Sequence, residues 1–183
     1  MNAMSTDVLT KWTIDPTHSE ILFKVKHLVI STVTGKFNEF DGSFESKGDD
    51  LEEAHISFEA NINSIDTNNE DRDTHLKSDD FFNADEHPKL TFSSTSFTKK
   101  SDSEYELTGD LTIRGTTKEV SLDVEYGGTV EDPYGQTKAG FEVNGKINRK
   151  EFGLKWNAVT EAGSVVVSEE VKLQLSVQFV KQA

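Results

Sequence analysis

Ser168 to Val180 reads SEEVKLQLSVQFV, and its register decides the fold class. Val171, Leu173, Leu175, Val177 and Phe179 alternate with Lys172, Gln174, Ser176 and Gln178. A period of two lays an apolar and a polar face along a half-buried strand, whereas a helix would scatter these positions around its circumference. The same alternation runs outward through the chain. From Glu20 to Ile30, Ile21, Phe23, Val25, His27 and Val29 share one face while Lys24 and Lys26 take the other. Similar sets are Ile56/Phe58/Ala60/Ile62, Leu90/Phe92, Leu107/Leu111/Ile113, Val120/Leu122/Val124/Tyr126 and Phe141/Val143/Ile147, with Phe40 and Phe44 in a further strand. The reading is all-β, with about eight strands.

The joints agree with that count. Arg114-Gly115-Thr116-Thr117 is a short connection between two alternating runs, and Asp132-Pro133-Tyr134-Gly135 sets a fixed φ beside a permissive one, so both predict hairpins. Successive antiparallel strands either stack as a sandwich or close into a barrel, and closure removes exposed edges. Runs of about ten residues favour a tilted barrel. One segment departs from the rhythm. In SIDTNNEDRDTHLKSDDFF, residues 64–82, Thr67 and Glu70 stand at capping-box spacing, predicting a short helix near residues 68–78 with Arg72, His75 and Leu76 on one face. Such an insertion would cover a barrel mouth, as would Asn148 to Leu154 before Trp156.

Composition narrows the function classes. The 183 residues carry 19 Lys and Arg against 33 Asp and Glu, a formal charge of −14, so nucleic acid and anionic membrane are expected to be repelled unless a basic patch is hidden. The absence of cysteine excludes disulfides, thiolate nucleophiles and Cys-ligated metals. No run approaches the ~18 apolar residues of a membrane span, and the opening MNAMSTDVLTKWTID lacks a secretory signal, so a single soluble cytoplasmic domain over residues 1–183 is expected, or a periplasmic one had a signal been removed.

WTIDPTHSEILFKVKH (12–27), GKFNEFDGSF (35–44), the helical segment above, HPKLTFSST (87–95), LTGDLTIRGTTKEVSLDVEY (107–126) and INRKEFGL (147–154) together resemble the YceI family of polyisoprenoid-binding, lipocalin-like proteins. The resemblance runs from about Trp12 to about Phe179. It implies an extended eight-stranded antiparallel lipocalin-like barrel around a long apolar cavity that holds an isoprenoid-like or fatty tail. It also implies a homodimer, and many relatives look exported.

Twelve phenylalanines against three tyrosines and two tryptophans suit such a wall, since phenylalanine carries no polar atom to satisfy. Phe23, Val25, Phe58, Phe92, Leu111, Ile113, Phe141, Ile147 and Leu173 are the wall candidates. Spacing alone favours the same residues filling a solid core; the resemblance favours a cavity. Arg72, His75 and Arg149 are candidates for a phosphate, quinone or carboxylate head group, with Leu76, Phe81, Phe82, Phe152 and Trp156 about the entrance. Equally, Arg72 and Arg149 could pair with Asp66, Asp71, Asp73 or Glu151.

No catalytic motif stands out. His18 and Ser19, with acids such as Asp15, do not make a triad, because neighbouring residues on one strand point to opposite faces and cannot easily meet, and DPTHS hints at a hydrogen bond fixing a turn. The run Asp66 to Asp73 fails as a calcium loop at Asp71 and Lys77, and no metal or cofactor is expected. The sequence thus predicts non-catalytic binding, sequestration or transport of a quinone or prenyl phosphate. The alternatives are a protein-interaction or stress-response module with a vestigial pocket, and an enzyme acting on a bound lipid at His75 with Asp73 or Asp79.

Overall fold

The computed structural model describes residues 9–48, 50–157 and 166–182. Its strands are β1 (Leu9–Ile14), β2 (Glu20–His27), β3 (Ser31–Phe37), β4 (Phe40–Lys47), β5 (Asp50–Asn61), β6 (Ile65–Asp66), β7 (Lys89–Lys99), β8 (Glu104–Ile113), β9 (Thr116–Glu131), β10 (Thr137–Asn148) and β11 (Val167–Lys181), with one helix, α1 (Glu70–Lys77). Every pairing is antiparallel, in the order β1-β4-β5-β7-β8-β9-β10-β11, and β11 returns to β1 through Ile14↔Phe179. The sheet therefore closes as an eight-stranded barrel.

Two of the eight staves are bent. β1 and β2 form one course of chain, both paired with β11, and so do β3 and β4, which separate only at Asn38 and Glu39. The first bend is a 3-10 turn over Pro16–His18, capped by Asp15, whose carboxylate accepts from Thr17 N. The His18 ring bonds that carboxylate at 2.8 Å, as DPTHS suggests, and Lys138 Nζ reaches it from β10 at 3.0 Å. Burial acts to raise the Asp15 carboxyl, yet the hydrogen bonds from Thr17, His18 and Lys138 outweigh it and hold it well below the ordinary carboxylate range. A depressed carboxyl stabilises the fold above its unfolded pKa, about 4, and that contribution is lost as pH falls through the folded value. Asp15→Asn is accordingly expected to cost about 2 kcal/mol at neutral pH and to flatten the acid limb of stability below about pH 4. Urea melts at neutral and acid pH check both.

Beyond this bend the β2–β3 hairpin rises as a flap. β3 meets β6 only through Lys36 and Phe37, so its edge from Ser31 to Gly35 has no strand partner among the described residues. The strand predicted to reach Ile30 ends at His27, and Val29 is 67% exposed in the loop instead of facing inward. The Arg114-Gly115 hairpin is a two-residue turn with both φ positive, at 50° and 73°. At the far end of the barrel Trp12 stacks on Phe44, which meets Phe141 and Phe179 edge-on at centroid distances of 5.8 and 4.9 Å. This aromatic cluster forms the floor, and Phe44, Phe141 and Phe179 line the cavity above it.

Helix α1 begins at Glu70, two residues later than its predicted start. Asn68 sits at φ 63°, which a helix excludes, and Asn69 is the cap, accepting from Arg72 N. Thr67 is engaged otherwise: its hydroxyl donates to Asp73 at 2.5 Å and accepts from Arg72 Nε at 2.8 Å.

Candidate functional site

Above the aromatic floor the barrel encloses a cavity of about 150 Å³, with essentially no polar surface on its wall. Of the nine wall candidates, Phe23, Phe58, Phe92, Leu111, Ile113, Phe141, Ile147 and Leu173 line it; Val25, further along the flap, does not. The lining also takes Phe179, from the alternating sets above, and Ile14, Phe37 and Phe97, which those sets do not include; Phe97 turns inward past the bulge between Ser94 and Ser96.

A cavity persists among so many large side chains because glycines on adjacent strands let them lie flat. Phe23 is cross-strand from Gly35, and a Cβ at Gly35 would stand 2.2 Å from the Phe23 ring tip. A Cβ at Gly145 would meet Leu122 Cδ2 at the same 2.2 Å. Phe92 lies over Gly109, and Phe58 over Gly42 with less crowding. Each of these large side chains thus occupies room against the wall that a Cβ on the facing strand would take.

The helical segment and the 149–156 segment cap one end of the barrel. Leu76, Phe82 and Trp156 pack against the core, while Phe81 and Phe152 are buried. Phe82 meets Phe37 edge-on at 6.3 Å, and His75 meets Phe81 and Trp156 at 5.1 and 4.7 Å. Apart from Phe37, none of these residues lines the cavity itself. Two arginines pin them. Arg114, read from the sequence only as part of a hairpin turn, donates to the carbonyls of Asp79 and Phe81 at 2.6 and 2.9 Å and to the Asp79 carboxylate at 2.5 Å.

Arg149 is 4% exposed. Its guanidinium donates to four carbonyls: Leu154 (2.6 Å), Trp156 (2.8 Å), Ser168 (2.8 Å) and Val167 (3.2 Å). Its face lies 5.8 Å from the Phe81 ring centre. Burial pushes its pKa down, with Glu169 opposing. Arg72 is turned inward on its own segment, donating to Thr67 O at 2.5 Å as well as to the Thr67 hydroxyl. Neither arginine has an ion pair within 4 Å among those the described residues show, so the suggested partners Asp66, Asp71, Asp73 and Glu151 are replaced by carbonyl and hydroxyl oxygens. His75 Nε2 bonds Asp80 at 2.8 Å; Asp73 and Asp79, its suggested companions, are held by Thr67 and Arg114. Ser19 Oγ accepts from Gln178 N at 3.0 Å, and His18 turns to Asp15, so these two side chains serve different bonds.

The YceI-like domain model matches residues 12–179. The chain belongs to the YceI family. It is 41% identical over 172 residues to a UPF0312 protein of Staphylococcus epidermidis, covering 93% of this chain and 98% of the relative, and 40% identical over 172 residues to a UPF0312 protein of Staphylococcus aureus with the same coverage. The YceI protein of Campylobacter jejuni superposes with a TM-score of 0.75 at 32% identity, over 86% of this chain and 90% of that one. Burkholderia cenocepacia BcnA does so at 0.79 and 19%, over 90% and 98%. A polyisoprenoid binding domain from Saccharophagus degradans gives 0.67 and 15%, over 93% and 98%. The last two likenesses establish the shared YceI barrel alone.

Proposed function

We infer that this barrel binds an amphiphilic lipid of the quinone or prenyl phosphate class, non-catalytically, with the tail in the cavity. The observation that carries the reading is the wall itself, apolar along its whole length. Each methylene equivalent moved from water to such a wall gains roughly 0.8 kcal/mol. The polyisoprenoid binding named for the Saccharophagus degradans relative supports the same class. A cavity near 150 Å³ accommodates a benzene-sized body, so a longer tail is admitted as the Phe and Leu side chains around it change rotamer.

The head group lies at the capped end, toward His75, whose side chain keeps 37% of its surface. Arg72 and Arg149 act from behind, holding the segments that shape this end. Catalysis is not part of this reading, because His18, Ser19, Asp73 and Asp79 each serve a structural bond.

Organic-solvent extraction of the purified protein followed by mass spectrometry tests the reading: a stoichiometric isoprenoid or fatty species is expected. A clean extract, repeated after incubation with a lipid mixture, would overturn it. Phe92→Asp places a charge on the wall and should lower uptake at least tenfold in native mass spectra, as should Leu173→Gln, a milder change at the same cavity. Full uptake in both folded variants removes these residues from the wall.

A further inference from the structure

Strand register exposes a basic stripe in this acidic molecule. Lys146 on β10 pairs with Lys172 on β11, and Lys172 pairs in turn with Lys24 on β2, so three ammonium groups stand in one row across the outer face of the barrel. Like charges directly opposite destabilise a sheet. Lys26 follows two residues up the flap, and the whole stretch from Ile21 to Asn38 contains Lys24, Lys26 and Lys36 with no Asp or Glu, in a chain where acids number 33 of 183. Lys146 is paired with Glu170 at 3.7 Å and Glu169 with Lys150 at 3.0 Å, whereas Lys24, Lys26 and Lys172 have no carboxylate within 4 Å among the described residues.

The flap ends in an apolar loop. Leu28, Val29 and Ile30 connect His27 to Ser31, with Leu28 and Val29 at φ 52° and 65°. Asn and Gly are the residues that adopt this conformation readily, and a β-branched residue there is a genuine outlier. The loop nevertheless carries Val29 at 67% and Ile30 at 86% exposure. It lies at the capped end of the cavity, beyond the cross-strand pair Phe23↔Leu173 that lines it.

We propose that the Val29-Ile30 loop and the Lys24-Lys26-Lys172-Lys146 row form a docking surface for an anionic lipid bilayer, which presents this end of the barrel to the membrane. Lys26 pairs with Thr32 and Lys24 with Thr34, two and four residues from Ile30, so the two lysines stand roughly 7 and 13 Å from the tip at strand spacing. An aliphatic tip seated just below the head groups therefore leaves the lysines among the phosphates, a match that a nucleic acid, with no use for the tip, does not offer. The charge of −14 repels an anionic surface in other orientations and so favours this one. The surface is independent of which lipid fills the cavity.

Flotation of the full chain with vesicles tests it, comparing phosphatidylcholine alone with phosphatidylcholine plus phosphatidylglycerol, both free of isoprenoids. Failure here thus leaves lipid uptake to be judged by extraction. Binding to the mixed vesicles, release at high salt and no binding to the neutral ones are expected. Lys24→Gln with Lys172→Gln should weaken binding about thirtyfold, at a factor of about five per lysine. Ile30→Asn should weaken it about tenfold. Both changes lie on exposed or half-exposed positions, and the first removes a like-charge contact, so melting no lower than that of the parent is the expected control. The proposal is overturned if the parent chain ignores mixed vesicles, if both folded variants float as the parent does, or if duplex DNA is bound in a Lys24- and Lys172-dependent way while vesicles are not.

Discussion

Arg149→Met lowers the melting temperature by about 10 °C, the largest fall expected of any single change here. The guanidinium satisfies four backbone carbonyls from two separate segments, Leu154 and Trp156 on one side and Val167 and Ser168 on the other. A methionine of similar length fills the space but takes the donor from the Leu154, Trp156 and Ser168 oxygens, Val167 O keeping Asn157 Nδ2 at 2.8 Å, and a buried polar group so stranded costs about 1–3 kcal/mol. Some of the three regain water as the segment loosens, so the total is about 3–5 kcal/mol. For a domain of this size each kcal/mol moves the transition by about 2–4 °C. Arg149→Lys keeps the charge but lacks the planar fork, so it should recover only part of the loss. Calorimetry checks both. If Arg149 met a head group instead, the methionine variant would lose lipid uptake with little change in melting; a shift under about 2 °C would establish that role over the scaffold one.

The same residue shows where sequence reading stops. Period-two alternation is local, and it located the inward faces of β2, β5, β8, β9, β10 and β11 because the side-chain period of a strand leaves no other arrangement for a half-buried sheet. It overran at Val29, where the alternation continues in the sequence but a three-residue loop turns the chain back. Arg149 is an arginine among acids in the sequence, and a carboxylate partner is the natural expectation. Its actual partners are backbone oxygens brought together by the fold, and a carbonyl has no signature in a sequence. The lysine row is hidden for a similar reason: Lys24, Lys146 and Lys172 are far apart in the chain and become neighbours only through register. Whether the barrel is hollow depends on a further nonlocal fact, namely which large side chain lies cross-strand from a glycine.

That fact yields the second large effect. Gly35→Ala and Gly145→Ala are each expected to reduce lipid uptake at least tenfold while the barrel remains folded. The nearest atoms to a Cβ at Gly35 all belong to the Phe23 ring, at 2.2, 2.7 and 2.8 Å, and at Gly145 the close contact is Leu122 Cδ2. Side chains can yield where backbone cannot, so the ring or the isobutyl group swings off the wall and into the cavity the tail needs. Overpacking of this kind costs about 1–3 kcal/mol, and replacing a strand glycine by alanine returns roughly 0.5–1 kcal/mol of it. The net change in stability is small and the change in the cavity is large, which separates this effect from that of Arg149→Met. Gly109→Ala would not serve, because a Cβ there meets Ser93 O at 2.5 Å and the strands themselves would have to part. Shrinking the displaced partner supplies the decisive control: Gly145→Ala combined with Leu122→Ala restores space at the wall and should recover uptake that Gly145→Ala alone loses. Native mass spectrometry with an added isoprenoid reads both. Undiminished uptake in the folded single variants would mean that the tail does not run past Phe23 and Leu122, and would move the binding site away from this stretch of the barrel.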